Sequence, residues 1–276
     1  MILFYILLVL ICCCPPLFLF LIWPGRSTKE MRAPFQGRNF AHRGLHTEDK
    51  SVPENSLAAF RAAADAGYGI ELDIQFSKDE QVVVFHDNTL KRVCGIDGRV
   101  DAYTYTELQE FSLCQTCEKI PLFTDVLAAV NGRVPLIVEL KNGPKNTRLC
   151  ERAYEILRSY QGDFCVESFS PFIVRWFKKN APGVLRGQLS APAREFRGEL
   201  PKAVAYILAN CLTNVLARPH FIAYDKTAHP FPVCAAELLG AMRVVWTVRP
   251  NDPIDKIASY NDALIFEFCR PPMKNR

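Results

Sequence analysis

The sequence predicts a parallel α/β fold, specifically a TIM-type (β/α)8 barrel, for residues 39–276. Short runs rich in β-branched and aromatic residues alternate with helical stretches through this region, which is typical of parallel sheets. The span of about 240 residues is the usual size of such a barrel. The 276-residue chain is 49% apolar and 22% charged, so it can bury a large core without disulfides or metals to stabilise it.

The strand candidates number one more than a barrel needs. Residues 77–81 are all that separate the second candidate from the third, whereas a parallel crossover takes a dozen residues or more. We therefore predict an antiparallel hairpin at the second strand, which leaves eight parallel strands. The strand candidates are residues 39–43, 69–76, 82–86, 135–141, 164–169, 184–189, 221–225, 243–248 and 263–268.

Helices are predicted between these strands, together with an excursion over residues 88–123. The last barrel helix is predicted to be missing or very short. The predicted helices are residues 55–66, 124–130, 147–160, 171–179, 202–216, 235–239 and 253–259.

The first 23 residues carry no charged side chain, and the next fifteen carry four basic residues against one acid. The apolar run is long enough to cross a bilayer, so we predict one transmembrane helix over residues 1–24 and a basic juxtamembrane linker over 25–38. A signal peptide would need an earlier basic segment and a small-residue cleavage site. A buried core helix is the third interpretation. By the positive-inside rule, the anchor predicts a single-pass membrane protein with a cytoplasmic catalytic domain.

Cysteine usage and charge add two further expectations. The eleven cysteines form no regular framework, and the C-x-x-C at Cys114 and Cys117 lacks the second ligand pair of a zinc site. Free thiols in a reducing compartment are the simplest interpretation. The net charge of +4 is spread without long Lys/Arg runs, so no nucleic-acid partner is predicted.

Charged side chains stand near the carboxyl ends of four predicted segments, and in a barrel those ends gather at one mouth. Glu71 and Asp73 lie two apart on one strand, so their side chains share a face. Both have apolar neighbours, as has Glu139, and buried carboxylates need partners. The residues expected to converge are His42, Arg43, Glu71, Asp73, His86, Glu139 and Lys141.

This set of side chains suits a cation and a phosphodiester. Three crowded carboxylates repel one another unless a hard cation lies among them, and oxygen ligands favour Mg²⁺ or Ca²⁺. Arg43 can clamp two phosphate oxygens, Lys141 adds a point charge, and two histidines can act as base and acid near neutral pH. The alternative is structural, with Arg43 and Lys141 in ion pairs with the carboxylates.

Several ordered motifs resemble the glycerophosphodiester phosphodiesterase family. They are H-R-G at residues 42–44, P-E-N-S-L-A-A-F at 53–60, I-E-L-D at 70–73, the K-D turn at 78–79, V-V-F-H-D at 83–87 and V-E-L-K at 138–141. The W-T-V of residues 246–248 also resembles a strand near that family's carboxyl end. The match is dense over residues 40–141 and looser elsewhere.

The resemblance implies a TIM-like barrel that hydrolyses glycerophosphodiesters to glycerol 3-phosphate and an alcohol with a divalent cation. It implies Glu71, Asp73 and Glu139 as metal ligands, His42 and His86 as an acid–base pair assisted by Arg43, and Arg43, Lys141 and Trp246 as phosphate- or substrate-binding residues. Trp246 is equally well placed in plain barrel core.

Other positions in the motifs are given mainly structural roles. Asn55 or Ser56 is expected to cap a helix, with Glu54 favouring its positive end or lying near the metal. His46, His220 and His229 match no motif and are treated as surface or core residues. Two positions depart from the family pattern: Arg249 stands where Asn is usual, and Glu267 stands in the terminal strand where Asp is usual.

Two other functions remain open. A lysophospholipase D acting at the bilayer surface is suggested by the apolar stretch 200–216 and the predicted anchor. A phosphodiester- or lipid-binding barrel without turnover is the non-enzymatic alternative, although no catalytic position of the motifs is missing.

Overall fold

The computed structural model describes residues 14–274 and contains a nine-stranded sheet. The strands, in chain order, are β1 (Arg38–His42), β2 (Gly69–Phe76), β3 (Val82–Val84), β4 (Leu136–Leu140), β5 (Phe164–Ser168), β6 (Leu185–Ser190), β7 (Phe221–Asp225), β8 (Met242–Val248) and β9 (Ala263–Phe266). All except β3 pair in parallel, from β1 through β2 and β4 around to β9, which pairs back to β1. The predicted eight-stranded parallel barrel is therefore confirmed.

The predicted hairpin is confirmed in part. β3 pairs antiparallel with β2, with Phe76 opposite Val82 and Ile74 opposite Val84. The ladder ends there, two residues short of the predicted end at His86. Phe85 still donates its backbone N–H to the carbonyl of Asp73 at 3.0 Å, so His86 leaves the hairpin close to the acidic strand.

Two of the described helices precede β1, and the others lie between the strands, with short ones in the excursion. They are α1 (residues 14–22), α2 (Lys29–Arg32), α3 (Leu57–Asp65), α4 (Lys91–Cys94), α5 (Tyr105–Leu108), α6 (Phe123–Val130), α7 (Asn146–Leu157), α8 (Pro171–Asn180), α9 (Lys202–Ala209), α10 (Asn214–Ala217), α11 (Phe231–Leu238) and α12 (Ile254–Tyr260). No helix follows β9 in the described chain, as predicted.

The prediction of one continuous helix over residues 202–216 was wrong. Residues 202–216 form two helices, α9 and α10, because Cys211 between them adopts a left-handed backbone with φ 51°. The bend buries Cys211 and Asn214 completely. The Asn214 amide donates to the carbonyl of Ile22 at 3.0 Å, a contact that a straight helix pattern does not reveal.

Apolar side chains fill the floor of the barrel below the polar mouth. Ile137 and Cys165 belong to the interior cluster, and two residues further along the same strands stand Glu139 and Glu167. Gly187 is required on β6, since a Cβ there would lie 2.0 Å from the ring of Phe221. The acidic residues therefore rest on an apolar, closely packed base.

The amino-terminal segment differs from the prediction where it is described. No helix in residues 14–274 is long and apolar enough to cross a membrane. Most of the predicted anchor, residues 1–13, lies outside the described residues. The part that is described, α1, packs its last turn against the barrel with Ile22 fully buried. The predicted linker, residues 25–38, contains α2. The cytoplasmic location stays a prediction.

Candidate active site

Three buried carboxylates meet at the barrel mouth. Each of Glu71, Asp73 and Glu139 offers an oxygen that lies within 4.8 Å of an oxygen of the other two. Burial, and then the neighbouring carboxylates, raise the pKa of Glu71 well above its usual value. Burial also raises the pKa of Glu139. Carboxylates that are this close and this dry are stabilised as anions by a bound cation.

The donor set fits a hard divalent cation. All three groups are oxygen donors, as Mg²⁺ and Ca²⁺ prefer, and they lie close enough together to hold one ion. No His or Cys belongs to the cluster, so the chemistry differs from that of a zinc site. The residues predicted as metal ligands are the ones the structure brings together, and their role as ligands stays a proposal.

Two cationic side chains border this cluster. The Lys141 ammonium lies 2.8 Å from Glu139 Oε1 and 3.3 Å from Asp73 Oδ1. Arg43 Nε lies 3.5 Å from Asp73 Oδ2, and the Arg43 backbone N–H donates to Glu71 at 3.0 Å. Although burial opposes ionisation, Lys141, His86 and Arg43 hold the pKa of Asp73 well below its usual range.

The P-E-N segment links the cluster to the helix that follows it. Asn55 adopts a left-handed backbone with φ 55°, and its amide donates to Asp73 Oδ2 at 2.9 Å. Ser56, rather than Asn55, is the cap of α3, accepting from the Ala59 N–H. Of the two capping residues expected, one serves the helix and the other serves the site.

Glu54 lies between two arginines at the edge of the site. It accepts from Arg43 Nη1 at 2.7 Å and from Arg92 Nη1 and Nη2 at 2.6 and 2.7 Å. Burial opposes ionisation, but these hydrogen bonds lower the pKa of Glu54 to about 2. Arg43 therefore contacts both Glu54 and the carboxylate cluster, and its hydrogen bond to Glu54 orients its guanidinium toward the mouth.

His42 is held from behind by a carboxylate that is itself held by an arginine. Glu267 Oε2 accepts from His42 Nδ1 at 2.9 Å, and Arg249 Nε donates to Glu267 Oε1 at 2.8 Å. Because the carboxylate only accepts, the proton of neutral His42 resides on Nδ1, and Nε2 faces Glu71 at 3.9 Å. Burial, and then Arg43, lower the pKa of His42 to about 4, against the opposing effect of Glu267.

His86 has a matching arrangement on the other side of the mouth. Its Nδ1 is 2.6 Å from Asp87 Oδ1, and Arg92 donates from Nε to Asp87 Oδ2 at 2.7 Å. Each histidine thus has a carboxylate on Nδ1 and an arginine behind the carboxylate, which leaves both Nε2 atoms for chemistry. These two His–carboxylate–Arg relays, His42–Glu267–Arg249 and His86–Asp87–Arg92, are called the relays below.

An open groove leads away from the carboxylates. It has a volume of about 800 Å³ and runs from Glu139 and Lys141, past His86 and Trp246, to the β6–β7 crossover. Trp246 forms part of its wall, with its indole N–H donating to the Ala223 carbonyl at 3.1 Å and its ring edge-on to Phe169. The far end carries five apolar residues, Phe172, Leu200, Val204, Ile207 and Leu216, and Glu195 and Glu199 also line the groove.

Sequence reasoning missed several residues of this site. Glu267 and Arg249 were noted only as departures from the family pattern, and Asp87 and Arg92 were given no role. His46, treated as surface or core, lies 3.7 Å from Glu267. Glu167 is the register partner of Glu139 on β5, and it is buried with Oε2 bonded to no described residue. The strand position of Glu167, level with Glu139, was the available signal.

The chain matches the model of the glycerophosphoryl diester phosphodiesterase family over residues 42–268. The chain belongs to this family. It is 32% identical over 160 residues to a glycerophosphodiester phosphodiesterase of Caldanaerobacter subterraneus, covering 54% of this chain and 65% of that protein. It is also 32% identical over 171 residues to the lysophospholipase D GDPD1 of Homo sapiens, covering 57% of this chain and 52% of that protein. The matched part is thus less than two thirds of the length of either relative.

Solved structures of the family share the fold. A glycerophosphodiester phosphodiesterase of Thermotoga maritima superposes with a TM-score of 0.60 at 27% identity, covering 83% of this chain and 93% of that one. An Oleispira antarctica phosphodiesterase in complex with the product sn-glycerol-3-phosphate gives 0.66 at 21% identity, covering 84% and 93%.

Proposed function

We propose that this family member is a phosphodiesterase that hydrolyses glycerophosphodiesters to glycerol 3-phosphate and an alcohol. The observation that carries the proposal is the convergence of the two relays on one buried three-carboxylate cluster. A structural ion-pair network would have no need of two histidines whose Nε2 atoms make no hydrogen bond to any described residue. A divalent cation held by Glu71, Asp73 and Glu139 would neutralise charge on the phosphate oxygens, with Arg43 and Lys141 binding the same group.

The positions of the two histidines suggest their division of labour. His86 lines the open groove, where the alcohol of a diester has room, whereas His42 is deeper and neutral at pH 7. We assign His42 Nε2 as the base that takes the proton of the nucleophile, and protonated His86 as the acid that delivers a proton to the leaving alcohol oxygen. One P–O bond forms to the nucleophile and one breaks to the alcohol. The nucleophile is either water or the adjacent glycerol hydroxyl, through a cyclic phosphate.

Purified full-length protein should release glycerol 3-phosphate from glycerophosphocholine, glycerophosphoethanolamine or glycerophosphoglycerol in the presence of Mg²⁺ or Ca²⁺. EDTA should abolish the activity. Absence of cation-dependent product from all three diesters would contradict the proposal.

A binding barrel without turnover is separated from an enzyme by one variant. His42→Ala should lower kcat by about a thousandfold, in the range of losses seen when an activating base is removed, while ligand affinity persists. His229→Ala is the control, since His229 also bonds a glutamate, Glu237, but lies outside the groove lining. Binding of the diester by a wild-type protein that shows no turnover would favour the binding barrel.

A lysolipid substrate is a second candidate, favoured by the apolar far end of the groove. A single acyl chain matches five aliphatic or aromatic side chains better than choline or ethanolamine does. Val204→Asp and Ile207→Asp should then reduce hydrolysis of lysophosphatidylcholine by at least about tenfold and leave the rate on glycerophosphocholine within about twofold. Equal losses on both substrates would argue against an acyl site.

A further inference from the structure

Helix α1 is fixed along the outside of the barrel by its last turn. Arg218 Nη1 donates to the carbonyls of Phe20 and Trp23, both at 2.8 Å, and its guanidinium lies 4.9 Å from the Phe20 ring. Ile22 packs in the cluster that contains Cys211. These contacts define how α1 is oriented relative to the mouth.

The helix runs antiparallel to β7, with its start toward the mouth. Past its last turn, Gly25 bonds to the Pro219 carbonyl just before β7 begins, at the floor of the barrel. Phe18 stacks at 5.8 Å on Phe231, the first residue of the helix that follows the mouth end of β7. Nine residues of helix extend about 13 Å. Cys14, the first described residue, is therefore on the mouth side. The residues before it in the sequence are uncharged.

Of the fourteen exposed large apolar side chains in the described residues, seven lie at the same side. Leu17, Tyr206 and Phe231 are 58%, 61% and 75% exposed, on α1, α9 and α11. Phe172, Leu200, Val204 and Ile207 are also exposed, at the outer end of the groove. The apolar rim is defined here as these seven residues. A water-facing surface rarely carries so many large apolar groups close together.

We propose that the apolar rim contacts a phospholipid bilayer, so that the mouth of the barrel opens toward the membrane surface. The groove and the rim share side chains, and the thirteen residues that precede Cys14 in the sequence carry no charged side chain. In this arrangement the last turn of α1 is held by protein rather than by lipid. The basic residues within the segment 26–38 lie toward the floor of the barrel, away from the lipid. The membrane orientation deepens the proposed function, since it names the surface from which a substrate would enter.

The test uses full-length protein and vesicles of phosphatidylcholine with phosphatidylglycerol. The rim variant, Leu17→Ser/Tyr206→Ser/Phe231→Ser, changes residues that do not line the groove. The control variant, Leu238→Ser/Tyr260→Ser, changes residues that are 81% and 64% exposed but end α11 and α12 at the floor. The rim variant should lower vesicle partitioning by about tenfold or more, and the control should stay within about twofold.

Hydrogen exchange gives the orientation independently of any activity. Vesicles should slow exchange in residues 197–208 and 230–234 and leave residues 238–241 and 256–262 unchanged. Equal partitioning of both variants, or protection at the floor, would overturn the proposed orientation. Hydrolysis of glycerophosphodiesters in solution is measured separately. If the protein does not hydrolyse them, vesicle partitioning and hydrogen exchange still test the membrane orientation.

Discussion

Glu267 contacts the candidate base through an interaction that spans most of the chain. Its Oε2 accepts from His42 Nδ1, and its Oε1 accepts from Arg249. Glu267→Gln can donate its amide to Nδ1 and so favours the tautomer with the lone pair on the wrong nitrogen. We expect kcat to fall by a hundredfold or more, on the order of losses for a misoriented catalytic histidine, with little change in KM.

The same three residue types occur elsewhere in the chain and provide the control. Glu237 is 2.7 Å from His229 Nδ1 and 3.3 Å from Arg243, outside the groove lining. Glu237→Gln should leave kcat near that of the wild type. Nitrogen NMR of the cation-free protein should show the His42 tautomer change only in Glu267→Gln. An unchanged kcat in that variant would remove Glu267 from the mechanism.

Asp87 offers an equivalent test on the second relay. Asp87→Asn replaces the carboxylate that bonds His86 Nδ1 and Arg92 with a neutral amide that has only one acceptor oxygen, and we expect a fall in kcat of about a hundredfold. Asp101→Asn is the matched control. Arg99 donates two hydrogen bonds of 2.8 and 2.9 Å to Asp101, and no histidine takes part in this pair. Similar losses in the two variants would indicate a structural effect.

At the scale of elements, the two residues that depart from the family pattern, Arg249 and Glu267, contact each other. Arg249 follows β8 and Glu267 follows β9, and these strands are neighbours in the barrel. Arg249 Nη2 lies 2.5 Å from Glu267 Oε1. The two residues form one ion pair behind His42, and Glu267 also bonds His42 Nδ1.

His220, at the floor of the barrel, should make the stability of the fold depend on pH. Burial, followed by Arg186 and Arg32, lowers the pKa of His220 from 6.5 to about 3. Between these values the unfolded chain binds a proton that the folded protein does not, so stability is fully present above pH 6.5 and is lost as the pH falls. The loss from pH 6.5 to 4 should approach about 3 kcal/mol.

Urea unfolding of wild type and His220→Gln across this range measures the effect. His42, with a pKa of about 4, contributes in the same window, so the variant should retain part of the slope and His220→Gln/His42→Gln less still. Identical slopes in wild type and both variants would contradict the prediction.

For the whole molecule, cation binding should be coupled to folding. The three carboxylates come from strands β2 and β4, and they are brought together only when these two strands pair in the folded protein. A cation at a thousand times its Kd should therefore stabilise the fold by about 4 kcal/mol. Calorimetry with Mg²⁺ and with Ca²⁺ should show a rise in Tm that Glu139→Gln abolishes and exposed Glu155→Gln retains. No rise with either cation would argue against the cation site.

The sequence alone determined the barrel, the antiparallel pairing of the hairpin though not its full length, and the residues at the strand ends, because periodicity, crossover length and local motifs are properties of short segments. It did not reveal the Glu267 partner of His42, the break between α9 and α10, or the docking of α1. Each of these depends on contacts between distant parts of the chain, such as residues 42 and 267, whose register is set when β9 pairs with β1. Closure of the barrel converts a list of polar strand ends into two oriented histidines facing one cluster of carboxylates.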